Sequence, residues 1–272
     1  MTGGWIGRLR ESIGIAPRRP ASDGPATLEE MYPRPGLFSV GTGDFRAIGH
    51  GILEELKASA GLAPHHRVLD VGCGIGRTAI PMTQYLSPQG SYEGFDPVAK
   101  AIAHCQQRIT PSYPNFRFQV ADLYNKRYNP RGRYRDSDYR FPFDDASFDV
   151  VFAVSVFTHL LPEGAARYVA ESARVLKPGG RFFATFFLLD DAALAAMDAG
   201  RSAIAFPVRY PDHSVHQKRV PEAAVAFPAD IVTGLCRGHG LELEPPRYGV
   251  WSGRATDYGG LQDLLVGTKK AG

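Results

Sequence analysis

The chain has 272 residues, of which 44% are hydrophobic and 22% charged, the composition of an ordinary globular protein with a sizeable core. Its formal net charge of +3 is too small to argue for nucleic acid as a partner. Cys73, Cys105 and Cys236 are far apart and make neither a disulfide framework nor a zinc site. With no apolar run near the roughly 20 residues of a membrane helix and no signal-peptide block, the chain reads as cytoplasmic, without stable membrane insertion.

Residues 1–36 are rich in Gly, Pro and Arg and read as a loosely held extension. Within it Trp5, Ile6, Leu9 and Ile13 share one helical face. Such a stripe can cover a site, touch a membrane surface, or dock on its own domain or a second subunit, so a homodimer is compatible with it. The spacing then predicts a helix over 44–60 and a short apolar strand over 67–71. A tight glycine turn follows at 72–76 and a helix over 77–86. Strands over 91–95 and 116–120 flank a helix over 98–109. An apolar strand over 148–154 precedes a helix over 163–176, and a Pro178-Gly179-Gly180 turn leads into a strand over 181–189. Strands alternating with helical stretches imply βαβ units and a parallel sheet, and continuous apolar strands fit a sheet covered on both faces.

Two stretches break the rhythm. Residues 124–146 mix tyrosines with arginines, and residues 190–230 hold an alanine-rich helix over 191–199 and a His- and Pro-containing segment. Long insertions in a compact α/β domain are commonly functional loops or lids. A helix over 228–239 and two strand-like runs, 241–251 and 261–268, close the chain.

The turn Asp70-Val71-Gly72-Cys73-Gly74-Ile75-Gly76, followed by Arg77, joins a strand to a helix. Its glycines let the backbone bend sharply and approach a ligand, and the helix start directs N–H groups at it. The spacing is GxGxG, not the GxGxxG of dinucleotide sites. Asp96, before Pro97, closes the next strand, where a carboxylate can accept two hydrogen bonds from a ribose diol. Asp122, before Leu123, closes the third, where the same sheet edge would meet an adenine. Three acids at three successive strand ends all face the carboxyl edge at which open α/β sheets bind ligands.

These residues resemble the class I S-adenosylmethionine-dependent methyltransferase family, over about residues 66–188. Val68 to Gly76 looks like its first motif, Gly94-Phe95-Asp96 like its ribose acid and Ala121-Asp122-Leu123 like its adenine turn. Phe148-Asp149-Val150-Val151, leading through Val154 and Ser155 to Phe157-Thr158-His159-Leu160, looks like the fourth strand and the methionine-contacting loop. Arg174 to Gly180 looks like the turn into the fifth strand. The resemblance implies a Rossmann-like α/β fold with a seven-stranded sheet in the order 3-2-1-4-5-7-6, strand 7 antiparallel. It implies helices on both faces and insertions forming a lid. It also implies a methyltransferase domain over 44–272 behind an extension over 1–43, with S-adenosyl-L-methionine as cofactor. Phe45, in the segment before the first motif, is expected to line the cofactor pocket.

A sulfonium methyl is already activated, so alignment of the nucleophile supplies much of the rate, and a hydroxyl nucleophile also needs a general base. His159, just past the fourth strand, is the main candidate, with His213 and His216 as rivals. Tyr124 and Asn125 are placed to orient an acceptor. Aromatic faces and arginines suit sugar rings, carboxylates or phosphates. With the looser likeness of Tyr128-Asn129-Pro130 and Ser155 to Leu160 to bacterial carbohydrate-modifying methyltransferases, the expected reaction is O-methylation of a sugar or glycoside hydroxyl. Phenols, small carboxylic acids, amines and thiols are the rival acceptors. A cofactor-holding module without catalysis and a nicotinamide dehydrogenase are rivals of other classes. No Asn/Asp-Pro-Pro-Tyr/Phe tetrapeptide follows the fourth strand, which disfavours methylation at a base or amide nitrogen. A divalent cation is left open, with no clustered ligand set to hold it.

Overall fold

The structure, a computed structural model, describes residues 26–34, 43–126 and 128–271. The apolar stripe at Trp5, Ile6, Leu9 and Ile13 lies outside the described residues.

Short helix α1 (Leu28–Met31) is closed by a capping box between Thr27 and Glu30. Helix α2 (Phe45–Ala60) starts on Asp44, whose side chain accepts from Arg46 N and Ala47 N, a cap that satisfies two orphan donors. Then come β1 (Arg67–Val71), α3 (Ala79–Met82), β2 (Ser91–Asp96), α4 (Ala99–Arg108), β3 (Phe116–Val120) and β4 (Phe148–Ala153). Helix α5 (Pro162–Val175) begins with Pro162 at its first turn, where the missing N–H costs nothing. It leads directly into β5 (Leu176–Phe186).

The main sheet has the order β10 (Leu241–Leu243), β11 (Asp263–Lys269), β5, β4, β1, β2, β3. Strand β11 is antiparallel to both its neighbours, and the remaining pairs are parallel. In strand terms this is the expected 3-2-1-4-5-7-6 order. Alternation along β1 explains the two cores. Leu69 and Val71 join Phe95, Phe157, Tyr168 and Val169 on the α5 face. Val68 joins Tyr92, Ile102, Phe116 and Phe152 on the face carrying α2 and α4. Both faces are therefore covered, as the continuous apolar strands require.

Some elements differ from the sequence expectation. The helix over 77–86 contracts to α3, because Pro81 has no N–H to donate and the Thr83 hydroxyl bonds back to Ile80 O at 2.7 Å. The run 241–251 yields only β10, since Pro245 and Pro246 cannot continue a ladder. Pro178-Gly179-Gly180 lies within β5 as an irregularity, with Gly179 at φ +78°. The segment after β5 builds an unanticipated second sheet, in the order β6 (Leu188–Leu189), β9 (Val225–Pro228), β8 (Ser214–Val215), β7 (Val208–Arg209). Helix α6 (Asp191–Asp198) and helix α7 (Ala229–Gly238) flank it in sequence. A third small core of Phe187, Phe206 and Trp251 seals this sheet to the main one.

Candidate functional site

A cavity opens at the carboxyl edge of β1, β2, β3 and β4. It is lined by the glycine turn, by Asp70 and Asp96, by Leu123 and Tyr124, by Val154 to Val156 and by His159 and Leu160. This is the edge where the strand order reverses direction from β1 outward, the natural crevice of an open α/β sheet.

The glycine turn is held to the sheet by backbone bonds. Gly72 N and Cys73 N both donate to Phe95 O, at 2.9 and 3.1 Å. Gly72 sits at φ +78°, and a Cβ there would lie 2.5 Å from Val156 Cγ2, so both its conformation and its close approach demand glycine. Gly74 has φ +54° but nothing within 4 Å of an added Cβ. It lines the cavity, and the open space beside it is what a ligand lying on the turn needs. Asp96 Oδ2 accepts from Gly74 N at 3.0 Å and Oδ1 from Val98 N at 2.8 Å. A carboxylate has about four acceptor positions, so each oxygen keeps a lone pair for a ribose hydroxyl. Burial pushes the Asp96 carboxyl up, and the two N–H donors pull against it.

Asp70 is 4% exposed, and the Tyr92 hydroxyl donates to it. Burial raises its pKa to about 7; the Tyr92 hydrogen bond opposes that, the nearby Asp96 adds to it and Arg77 opposes it. Arg77 and Cys73 line the same cavity. Burial pushes the Cys73 thiol up, so it serves as a small side chain in the turn rather than a nucleophile.

His159 lies in a 3-10 turn after β4, with its Nδ1 2.9 Å from Glu222 O. A carbonyl only accepts, so Nδ1 carries the proton and Nε2 the lone pair of the neutral ring. The Tyr128 ring meets the imidazole edge to face, centroids 5.7 Å apart. Pro97, Phe45, Tyr124 and Asn125 line the cavity as well. Asp122 is not among the lining residues: its Oδ2 accepts from Arg133 Nε at 2.6 Å, and this guanidinium holds the carboxyl below its usual range. His213 pairs with Asp212 and stacks on Tyr210, and His216 bonds Ala205 O; neither lines the cavity.

Sequence reasoning did not single out Tyr128, Asp136 and Tyr168 as cavity residues. Tyr128 and Asp136 belong to the Tyr- and Arg-rich insertion, whose composition flagged the segment but not the side chains that turn inward. Tyr168 sits on the buried face of α5, where nothing in the sequence separates a core tyrosine from a lining one. Among the described residues, no group of three or more His, Cys, Asp or Glu side chains is arranged to hold a metal ion. No helix among them is long and apolar enough to cross a membrane.

Comparisons with known proteins agree with this geometry. Residues 68–180 match the family model described as a methyltransferase domain. A phthiotriol/phenolphthiotriol dimycocerosates methyltransferase of Mycobacterium ulcerans is 38% identical over 114 residues, 42% of this chain and 35% of that protein. The chain thus spans between a third and a half of the length of the curated relatives it matches first. Among solved structures, the PH0226 protein of Pyrococcus horikoshii has a TM-score of 0.57 at 18% identity, over 85% of this chain and 93% of its own. The YcgJ protein of Bacillus subtilis has a TM-score of 0.51 at 19% identity, over 83% and 100%. At such identities the two structures establish a shared fold.

Proposed function

We propose that this chain, whose residues 68–180 match the methyltransferase-domain model, is a class I enzyme that transfers the methyl group of S-adenosylmethionine to a hydroxyl of a small molecule, most specifically of a sugar or glycoside. The cofactor reading rests on the fit between the cradle and the group. The turn at Gly72 and Gly74 admits a close ligand, Asp96 keeps acceptor capacity for the ribose diol, and Asp70 places a carboxyl near a cationic cofactor. When bound, the cofactor supplies an electrophilic methyl.

The observation that carries the hydroxyl assignment is His159. Its Nδ1–H is committed to the Glu222 carbonyl, so the neutral ring is the tautomer whose Nε2 takes a proton, as deprotonating a hydroxyl during transfer requires. The sugar assignment is supported by the exposed Tyr124 ring, by Tyr128 beside the histidine and by Asp136. These offer stacking faces and a carboxylate that accepts from hydroxyls. Three unbridged, buried cysteines suit a reducing compartment and support a cytoplasmic setting.

The test is S-adenosylhomocysteine release across glycosides, phenols, small acids and amines, with and without chelator. The expected result is turnover on a glycoside, unaffected by chelator, falling about 10²- to 10⁴-fold in His159→Ala while S-adenosylhomocysteine binding is retained. Turnover confined to phenols, acids or amines would replace the sugar assignment and leave methyl transfer standing.

A further inference from the structure

Ser155 lines the cavity at the end of β4, and its backbone is left-handed, φ +59°. For a residue with a Cβ this is a strained conformation, and it persists only where surroundings fix it. Two side chains from distant parts of the chain do so. Ser155 N donates to Thr185 Oγ1, on β5, at 2.8 Å. The Ser155 hydroxyl donates to Gln262 Oε1 at 3.0 Å, and the Thr185 hydroxyl donates to the same oxygen at 2.6 Å. Gln262 cannot drift, because Asp263 beside it accepts from Leu188 N, Gly249 N and Trp251 Nε1 at 2.6, 2.8 and 2.7 Å.

A serine hydroxyl owns one proton, and here Gln262 takes it. Ser155 therefore meets any ligand in the cavity as a hydrogen-bond acceptor only. Along the sheet edge the order is β3, β2, β1, β4. A ligand whose sugar rests on Asp96, at the end of β2, lies across the glycine turn with its other end at Ser155. For S-adenosylmethionine that end is the amino acid, whose one hydrogen-bond donor is its ammonium group.

We infer that Gln262 is a positioning residue that aims the Ser155 lone pairs at the ammonium group of the bound cofactor. It acts through Ser155, tying the strand-7 side of the sheet to the cofactor edge. The inference rests on the cofactor reading above.

The experiment measures binding of two probes by calorimetry: S-adenosylhomocysteine, and 5′-methylthioadenosine, which lacks the amino-acid portion. Gln262→Leu is expected to weaken S-adenosylhomocysteine about tenfold and to leave methylthioadenosine unchanged, whereas Gln262→Glu, which keeps an acceptor oxygen, retains both. Thr185→Val serves as a second variant that keeps Gln262, with the same selective loss expected. In a Ser155→Gly background, Gln262→Leu is expected to cause no further loss. Equal loss of both probes, or no loss of either, would overturn the inference and reduce Gln262 to a packing residue. Failure of the unmodified protein to bind either probe would overturn the cofactor reading itself and the inference with it. Binding of both probes by the unmodified protein keeps the two questions separate.

Discussion

The Tyr92 hydroxyl donates to the Asp70 carboxylate between adjacent parallel strands, one step inside the glycine turn. The bond is buried on both sides, Tyr92 being 0% and Asp70 4% exposed. It joins the aromatic core under the sheet to the acid at the cavity floor, and it opposes the upward push of burial on that acid's pKa.

Asp70 has its pKa raised by burial to about 7 from an ordinary value of 3.8. The folded protein therefore favours the protonated acid: that contribution to stability is fully present below about pH 4 and is lost as pH rises through 7. A cationic cofactor favours the ionised form instead, so its binding releases a proton below about pH 7. Affinity for S-adenosylmethionine is expected to rise between about pH 5.5 and 8 and to become nearly flat in Asp70→Asn. Tyr92→Phe removes the hydrogen bond that lowers the pKa and so moves the rise to higher pH. Calorimetry in buffers of different ionisation enthalpy reads the proton directly. A pH-independent affinity in the unmodified protein would refute this linkage.

Gly72 and Gly74 share a left-handed backbone and differ in what surrounds them. Gly72→Ala drives a Cβ against Val156, whereas Gly74→Ala meets open space. Urea unfolding is expected to show Gly72→Ala losing more stability, roughly 2–3 kcal/mol, and Gly74→Ala about 1 kcal/mol. Gly74→Ala should nonetheless lose most S-adenosylhomocysteine affinity, because the space it fills is the ligand's. Retained affinity in Gly74→Ala would place the ligand elsewhere.

Asp263 is 0% exposed and holds three donors from two separate segments. Asp263→Ala leaves Leu188 N, Gly249 N and Trp251 Nε1 without that acceptor. At about 1–3 kcal/mol for each unsatisfied donor, the cost is expected to reach at least about 3 kcal/mol in denaturant unfolding. Asp263→Asn, which keeps one acceptor oxygen, should cost less. Equal costs for the two variants would mean that packing, rather than acceptor capacity, matters at this position.

The parts of the fold that rest on local physics were legible from residues alone. Strands β1 and β4 announce themselves as apolar runs, β2 as a short run closed by Asp96, and the alanine run gives α6. The second sheet was not legible, because three of its four strands are two residues long and are made by pairing, not by periodicity. The same division holds in the cavity. Asp70, Gly74 and Asp96 follow from a motif contiguous with its strand. Asp136 and Tyr168 reach the cavity only after a 3-10 turn folds against α5, where the Asp136 carboxylate fills the space left by Gly164. Asp122 shows the converse, a strand-end acid drawn aside by an arginine eleven positions away. Spacing fixes where such an acid stands, but its partner decides where it points.

His159 hangs from a carbonyl in the segment between β8 and β9, on a part of the chain separate from the cofactor turn. That segment cannot be exchanged as an independent cassette. A graft that displaces the Glu222 carbonyl would also remove the acceptor that orients the His159 ring. Sequence change in that loop can leave the His159 ring as it stands only if one backbone oxygen keeps its place.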